Sequence, residues 1–125
     1  MIKLGKNFLR GAYTPLITPF KGWAVDYDAF ARFVDWQIRN GADGLVVGGT
    51  SSEPTSLSIT ERQNLLRIAV SAARRRVPII AHTGTTSLAD TWALTEHAEQ
   101  VGADAIMLMM PPFIKAPQRG LLSYF

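Results

Sequence analysis

Four short apolar runs recur along the chain: "GAYTPLIT" (11–18), "GLVVGG" (44–49), "VPIIAHT" (77–83) and "DAIMLMM" (104–110). The last three are nearly continuous in hydrophobicity rather than alternating, the pattern of strands buried on both faces in a parallel sheet. Between them the period changes. Over residues 26–40, Phe30, Phe33, Val34, Ile38 and neighbouring Trp36 recur at spacings near three and four, which predicts an amphipathic helix. Asp26 is its N-cap and Gly41 its stop. A second helix is predicted over 59–75, opened by a capping box of Ser58 and Glu61. A third, over 88–100, is opened by a second capping box of Ser87 and Asp90, with Asp in place of Glu, and closes at Gly102.

The phrase "NGADGLVV" (40–47) is echoed by "VGADAIML" (101–108), each a helix end, a Gly-Ala-Asp turn and a strand. Strand and helix thus alternate about every 30 residues, which implies parallel strands joined by right-handed crossovers. Two architectures fit, a doubly wound sheet and a (β/α)8 barrel. A barrel typically takes about 250 residues. Here 125 residues hold four strands and three helices, with a fourth helix starting near Pro117. Half a barrel leaves two sheet edges and one apolar face uncovered.

Composition narrows the classes. Hydrophobic residues make up 47%, a globular proportion, and no apolar run approaches the length of a membrane span. The first residues, "MIKLGKNFLRGAYTP", lack the apolar segment and cleavage site of a signal peptide, so the expected compartment is the cytoplasm. The absence of cysteine excludes disulfides, thiolate metal sites and a thiol nucleophile. The net charge of +3 is mild, and its densest element, Arg74-Arg75-Arg76, falls where the last turn of the second helix is expected. Aromatic residues are not interleaved with these cations, so no nucleic-acid surface is read.

Candidate chemistry lies at the carboxyl ends of the strands, where parallel α/β folds bind ligands. The second strand runs into "GGTSSEP" (48–54). Gly48 and Gly49 allow close backbone approach, and Thr50, Ser51 and Ser52 offer hydroxyls and amides that suit a carboxylate or phosphate. The same residues also suit a hydroxyl-rich turn that caps a helix. The spacing matches neither a P-loop nor a dinucleotide fingerprint. His82, at the end of the third strand, suits either a ligand contact or acid–base role or a buried imidazole bonded to backbone. His97, between Glu96 and Glu99, reads as a surface residue. Ser51 and Ser52 have no evident base, and no cluster has metal-ligand spacing.

Four segments, in order, resemble the dihydrodipicolinate synthase / N-acetylneuraminate lyase family: "GAYTPLITPF", "GADGLVVGGTSSEPTSLSITER", "VPIIAHTGTTSLADT" and "GADAIMLMMPPFIKAPQRGLLSYF". They are similar to the family's first four barrel strands and their following turns, including the signature Gly-Thr-Thr-Gly-Glu. The resemblance implies that residues 1–125 form the N-terminal half of a (β/α)8 TIM barrel. It implies a Schiff-base lyase or synthase acting on pyruvate or a related 2-oxo acid, without a cofactor, often as a homo-oligomer. By the same resemblance Thr50, Ser51, Gly49 and Ser52 are the substrate-binding residues, Thr50 and Ser51 holding the keto acid's carboxylate, and Thr50 is the candidate proton relay.

The chain departs from the family pattern at several places. Ser52 replaces the motif's second glycine, and Pro54 follows Glu53. Phe113 stands at the family's relay tyrosine, and a phenyl ring passes no proton. His82 stands where a small residue is expected, in reach of the pocket. The family's Schiff-base lysine and its partner tyrosine align after residue 125, and Lys3, Lys6, Lys21 and Lys115 all lie outside the predicted buried strands. Two alternatives are kept: a non-catalytic half barrel that associates with itself or a complementary half, and a small doubly wound anion-binding domain. The last requires helices on both faces of the sheet.

Overall fold

The computed structural model describes residues 5–110 and 115–125. In chain order its elements are β1 (Tyr13–Pro15), β2 (Phe20–Lys21), β3 (Ala24–Val25), α1 (Tyr27–Arg39), β4 (Gly44–Val47), α2 (Ile59–Ala73), β5 (Ile79–His82), α3 (Leu88–Val101), β6 (Ala105–Met107) and α4 (Gln118–Tyr124). Strands β1, β4, β5 and β6 form one sheet in that order, every neighbouring pair parallel. Each crossover advances one strand in the same direction, so right-handed connections place α1, α2 and α3 on one face. Accordingly α1 packs on α2, and α2 on α3. This one-sided arrangement is the first half of a (β/α)8 barrel, and it removes the doubly wound alternative.

Alternation along the strands separates two faces. Leu45, Val47, Ile79 and Ala81 are buried with Leu16 under the helices. From above they meet Phe30 and Val34 of α1 and Leu65, Leu66, Ala69 and Ala73 of α2. Burying each such Leu or Ile side chain contributes about 1.5–3 kcal/mol. On the opposite face the register aligns Pro15, Val46, Ile80 and Ala105 in one row across the sheet. Ile17, Met107 and Met109 are largely exposed. In a closed barrel that face is the interior.

The expected caps form, except that the second box is only half made: the Ser87 amide donates to Thr85 Oγ1 and not to Asp90. Asp26 accepts from the Ala29 amide, Ser58 and Glu61 make a full capping box, Ser87 accepts from the Asp90 amide, and Gly102 ends α3 in the left-handed region. The Gly-Ala-Asp repeat has a shared geometry. Asp43 accepts from the Ala12 amide at 2.7 Å and returns its own N–H to the Ala12 carbonyl at 2.9 Å. Asp104 does the same to Ile79, with both bonds at 2.9 Å. Each aspartate thereby staples the start of one strand to the start of its neighbour. Gly44 leaves room for the Tyr13 ring, since an added Cβ would lie 2.1 Å from that ring.

Four expectations are corrected. The first and last strands are shorter than the apolar runs, at 13–15 and 105–107. A β2–β3 hairpin intervenes before α1, with Trp23 fully exposed at its tip; its two-residue strands are too short to leave a period. Helix α2 stops at Ala73, and Arg74 and Arg75 adopt left-handed backbone beyond it. Arg76 still serves the helix end, donating to the Ala72 and Ala73 carbonyls and pairing with Asp35 of α1 at 2.8 Å. Finally, His97 is half-buried, its Nε2 lying 3.0 Å from the Gln63 carbonyl of α2.

The staples differ in burial, which generates a ranking. Asp104→Ala should destabilise the chain by about 1–3 kcal/mol, because the Ile79 amide loses its charged acceptor in a half-buried position. Asp43→Ala should cost less, since its bond is exposed. Urea midpoints of the two variants check this; equal losses would contradict it.

Candidate functional site

Strand β4 leads into the site through Gly48, whose φ is +77° and whose added Cβ would sit 3.2 Å from the His82 carbonyl oxygen. Both facts require glycine there. Gly49 is buried and extended, and Thr50–Ser52 then form a single 3₁₀ turn, with the Ser52 amide donating to the Gly49 carbonyl at 2.9 Å. Glu53 takes left-handed backbone at φ +54°, and Pro54 opens a second short turn, Pro54–Ser56. Leu57 is buried and anchors the chain before the Ser58 cap of α2. A non-glycine left-handed residue costs about 1–2 kcal/mol, so this sharp path is held by its flanks.

The three hydroxyls of the turn divide. Thr50 and Ser51 are exposed at the sheet's carboxyl end. As the first residues of a helical turn, their amides have no acceptor within it. Ser52 is fully buried. Its carbonyl accepts from Thr18 Oγ1 at 2.8 Å, and the two hydroxyl oxygens are 3.0 Å apart. Thr18 follows β1 and is itself buried, so this pair ties the turn to the neighbouring strand. Ser52, expected among the substrate-binding residues, is instead fully buried and bonded to Thr18, while Thr50 and Ser51 are exposed. Gly49 stands at the same end of the sheet as Met107, whose Cε would lie 3.9 Å from an added Cβ.

The second hydroxyl-rich turn, after β5, uses its side chains internally. Thr85 Oγ1 donates to the Ser87 carbonyl at 2.6 Å and accepts from the Ser87 amide at 3.0 Å. The Thr85 amide donates to Thr91 Oγ1 at 3.0 Å, and Thr95 Oγ1 donates to Thr83 Oγ1 at 2.9 Å. These bonds shape the entry to α3.

His82 ends β5 and pairs in register with Met107. Its Nδ1 is buried without a hydrogen-bond partner among the described residues. Burial first, and then the nearby Arg62 guanidinium, hold the imidazole below its ordinary pKa; the Gly48 backbone works the other way. Arg62 lies in the first turn of α2, 7% exposed, and donates to the His82 carbonyl at 3.0 Å. Burial lowers its own pKa, opposed by Asp90.

Thr18 and Arg62 were missed as site-shaping residues from sequence. The available signal for Arg62 was an arginine on the buried stripe with Leu65, Leu66 and Ala69. Phe113 lies outside the described residues. Lys6, Lys21 and Lys115 are exposed. Among the described residues no group of side chains can hold a metal ion, and no helix is long and apolar enough to cross a membrane.

Comparison with known proteins agrees with this fold. The model of the Dihydrodipicolinate synthetase family matches residues 8–125. The chain is 44% identical over 117 residues to a 4-hydroxy-tetrahydrodipicolinate synthase from Chelativorans sp. (strain BNC1), covering 93% of this chain and 40% of that protein. A synthase of the same name from Hydrogenobaculum sp. (strain Y04AAS1) is 42% identical, again with 40% of its length covered. The crystal structure of dihydrodipicolinate synthase from Aquifex aeolicus superposes with a TM-score of 0.86 at 37% identity, over 91% of this chain and 39% of that one. YagE, a prophage protein of the dihydrodipicolinic acid synthase family from E. coli K12, solved with pyruvate, gives 0.86 at 34% identity, over 91% and 39%. The chain thus spans about 40% of the length of these relatives. With its one-sided parallel sheet and its signature turn at the carboxyl rim, the chain belongs to the dihydrodipicolinate synthetase family.

Proposed function

We propose that the Gly49–Ser51 turn receives the carboxylate of a pyruvate-like 2-oxo acid, and that this chain is the carboxylate-binding half of a Schiff-base lyase or synthase. The observation that carries the reading is the exposure of Thr50 and Ser51 at the strand ends, where they open a 3₁₀ turn. Relatives of the same family solved with pyruvate support the choice of ligand. In a Schiff-base reaction an amine condenses with the keto carbon and water leaves. The carboxylate must be fixed while this happens, and Thr50 and Ser51 are suited to fix it. Thr50 also carries a hydroxyl without a hydrogen-bond partner among the described residues, as a proton relay requires. Ser52 and Thr18 serve by holding the turn in shape.

The attacking amine is not supplied by the described lysines, which are exposed and have no buried setting to lower their pKa. Treatment of the chain with pyruvate and borohydride should therefore leave its mass unchanged. A stable adduct on any lysine would show that the chain carries its own nucleophile. Pyruvate should shift the amide resonances of Thr50 and Ser51 in NMR titrations. Ser51→Ala should weaken that binding about tenfold, the scale of one hydrogen bond to a charged group. Unshifted Thr50 and Ser51 resonances at saturating pyruvate would refute the assignment.

A second reading, association of the half barrel through its open face, is favoured by the exposure of Ile17, Met107, Met109 and Met110 around the strand ends. It would make the chain a homo-oligomer. Sedimentation should then give a mass above that of one chain, falling on Met107→Lys; a monomer at all concentrations contradicts it.

A further inference from the structure

Arg62 is buried in a way that stability does not call for. Among the described residues it forms no ion pair with a carboxylate. A buried charge without one is expensive, and an apolar side chain there would extend the stripe of Leu65, Leu66, Ala69 and Ala73. What arginine alone offers is a rigid fork of donors. One fork nitrogen, Nη2, reaches two carbonyls, His82 O at 3.0 Å and Gly84 O at 3.5 Å, which flank Thr83. Its Nε is buried without a partner among the described residues. Gly84 is tightly seated as well: an added Cβ would lie 3.0 Å from the Met109 amide and 3.6 Å from His82 Nε2.

We propose that Arg62 is a positioning residue for the strand-end pocket, gripping the carbonyls of His82 and Gly84 so that the His82 imidazole stands beside the Gly48–Ser51 turn. The inference rests on the reading of that turn as the ligand site. It adds that α2 serves both turns, since its capping box starts where the Pro54–Ser56 turn ends and its Arg62 holds the turn after β5. The guanidinium is the charged group that faces His82 from α2. Asp90 of α3 acts on Arg62 rather than on the ring, β4 presents the Gly48 backbone, and β6 presents Met107. Burial first, and then that charge, disfavour the protonated ring, so His82 offers a ligand a hydrogen bond more readily than a second positive charge.

The test compares wild type, Arg62→Lys and Arg62→Met by amide exchange and by NMR titration of the histidine rings, without ligand. Arg62→Met should speed exchange of the Thr83–Thr85 amides about tenfold, as expected when buried carbonyls lose a charged donor, and should raise the His82 midpoint. Since the folded protein disfavours the charged ring, its stability contribution is full above about pH 6.5 and is lost as pH falls through the folded value; this acid loss should shrink in Arg62→Met. Arg62→Lys keeps the charge but not the fork, so it should loosen the same turn and leave the His82 midpoint near wild type. An unchanged turn and midpoint in Arg62→Met, or exchange rising evenly over the whole chain, overturns the proposal. If Arg62→Met does not fold, Arg62→Lys decides: faster exchange confined to residues 83–85 supports it, and an even change or none overturns it. Adding pyruvate to the wild-type sample reads the Thr50 and Ser51 amides separately. Silence there defeats the ligand reading, while the turn measurement still reports on Arg62.

Discussion

The half barrel depends on register between neighbouring parallel strands, and the two aspartate staples set much of it. A parallel ladder has evenly spaced bonds and no hairpin to fix its alignment. A slip by one residue would turn Leu45 and Val47 away from the helices and bring Val46 under them. Asp43 and Asp104 act against this by binding the amide of the residue just before or at the start of an adjacent strand, Ala12 and Ile79, while donating to the same residue's carbonyl. With the strand starts level, the strand ends are level too. Gly48, His82 and Met107 therefore arrive at one rim, and the turns that follow can meet.

At that rim, two stretches of similar composition do different work. The turn after β5 closes its hydroxyls into bonds with α3, while the turn after β4 leaves Thr50 and Ser51 open and sinks Ser52 against Thr18. The difference lies in backbone path. Gly48 and Glu53 in left-handed conformations fold the first turn back on itself, so its middle residues project. The second turn runs directly into a helix cap, where Ser and Thr oxygens find acceptors and donors within a few residues. Hydroxyl content therefore marks both turns, and conformation decides which of them leaves its residues exposed.

Much of the fold was legible because its signals are local. Capping residues, the Gly-Ala-Asp repeat and the continuous apolar strands each act over a few positions, and the N-cap residues stand where expected, although Asp90 does not complete a box with Ser87. The missed features are those that local pattern does not carry. The β2–β3 hairpin has too few residues per strand to show alternation. Arg74 and Arg75 occupy left-handed positions where glycine is the usual signal, so the end of α2 was read two residues late. The partition of Thr50, Ser51 and Ser52 depends on Thr18, 34 residues away from Ser52, and Arg62 reaches 20 residues ahead to His82. Such pairings exist only after the sheet has assembled.

The small residues of α2 carry a further implication. Ala69 and Ala73 are sealed between the sheet and the flanking helices, where packed interiors leave no slack for an added methylene. A bulkier side chain at Ala73 would have to tilt the helix as a rigid lever. Its other arm ends at Arg62, roughly 16 Å along the axis at 1.5 Å per residue. Changes in the packed interior far from the rim would then reach the His82 and Gly84 carbonyls as small displacements of the guanidinium that binds them.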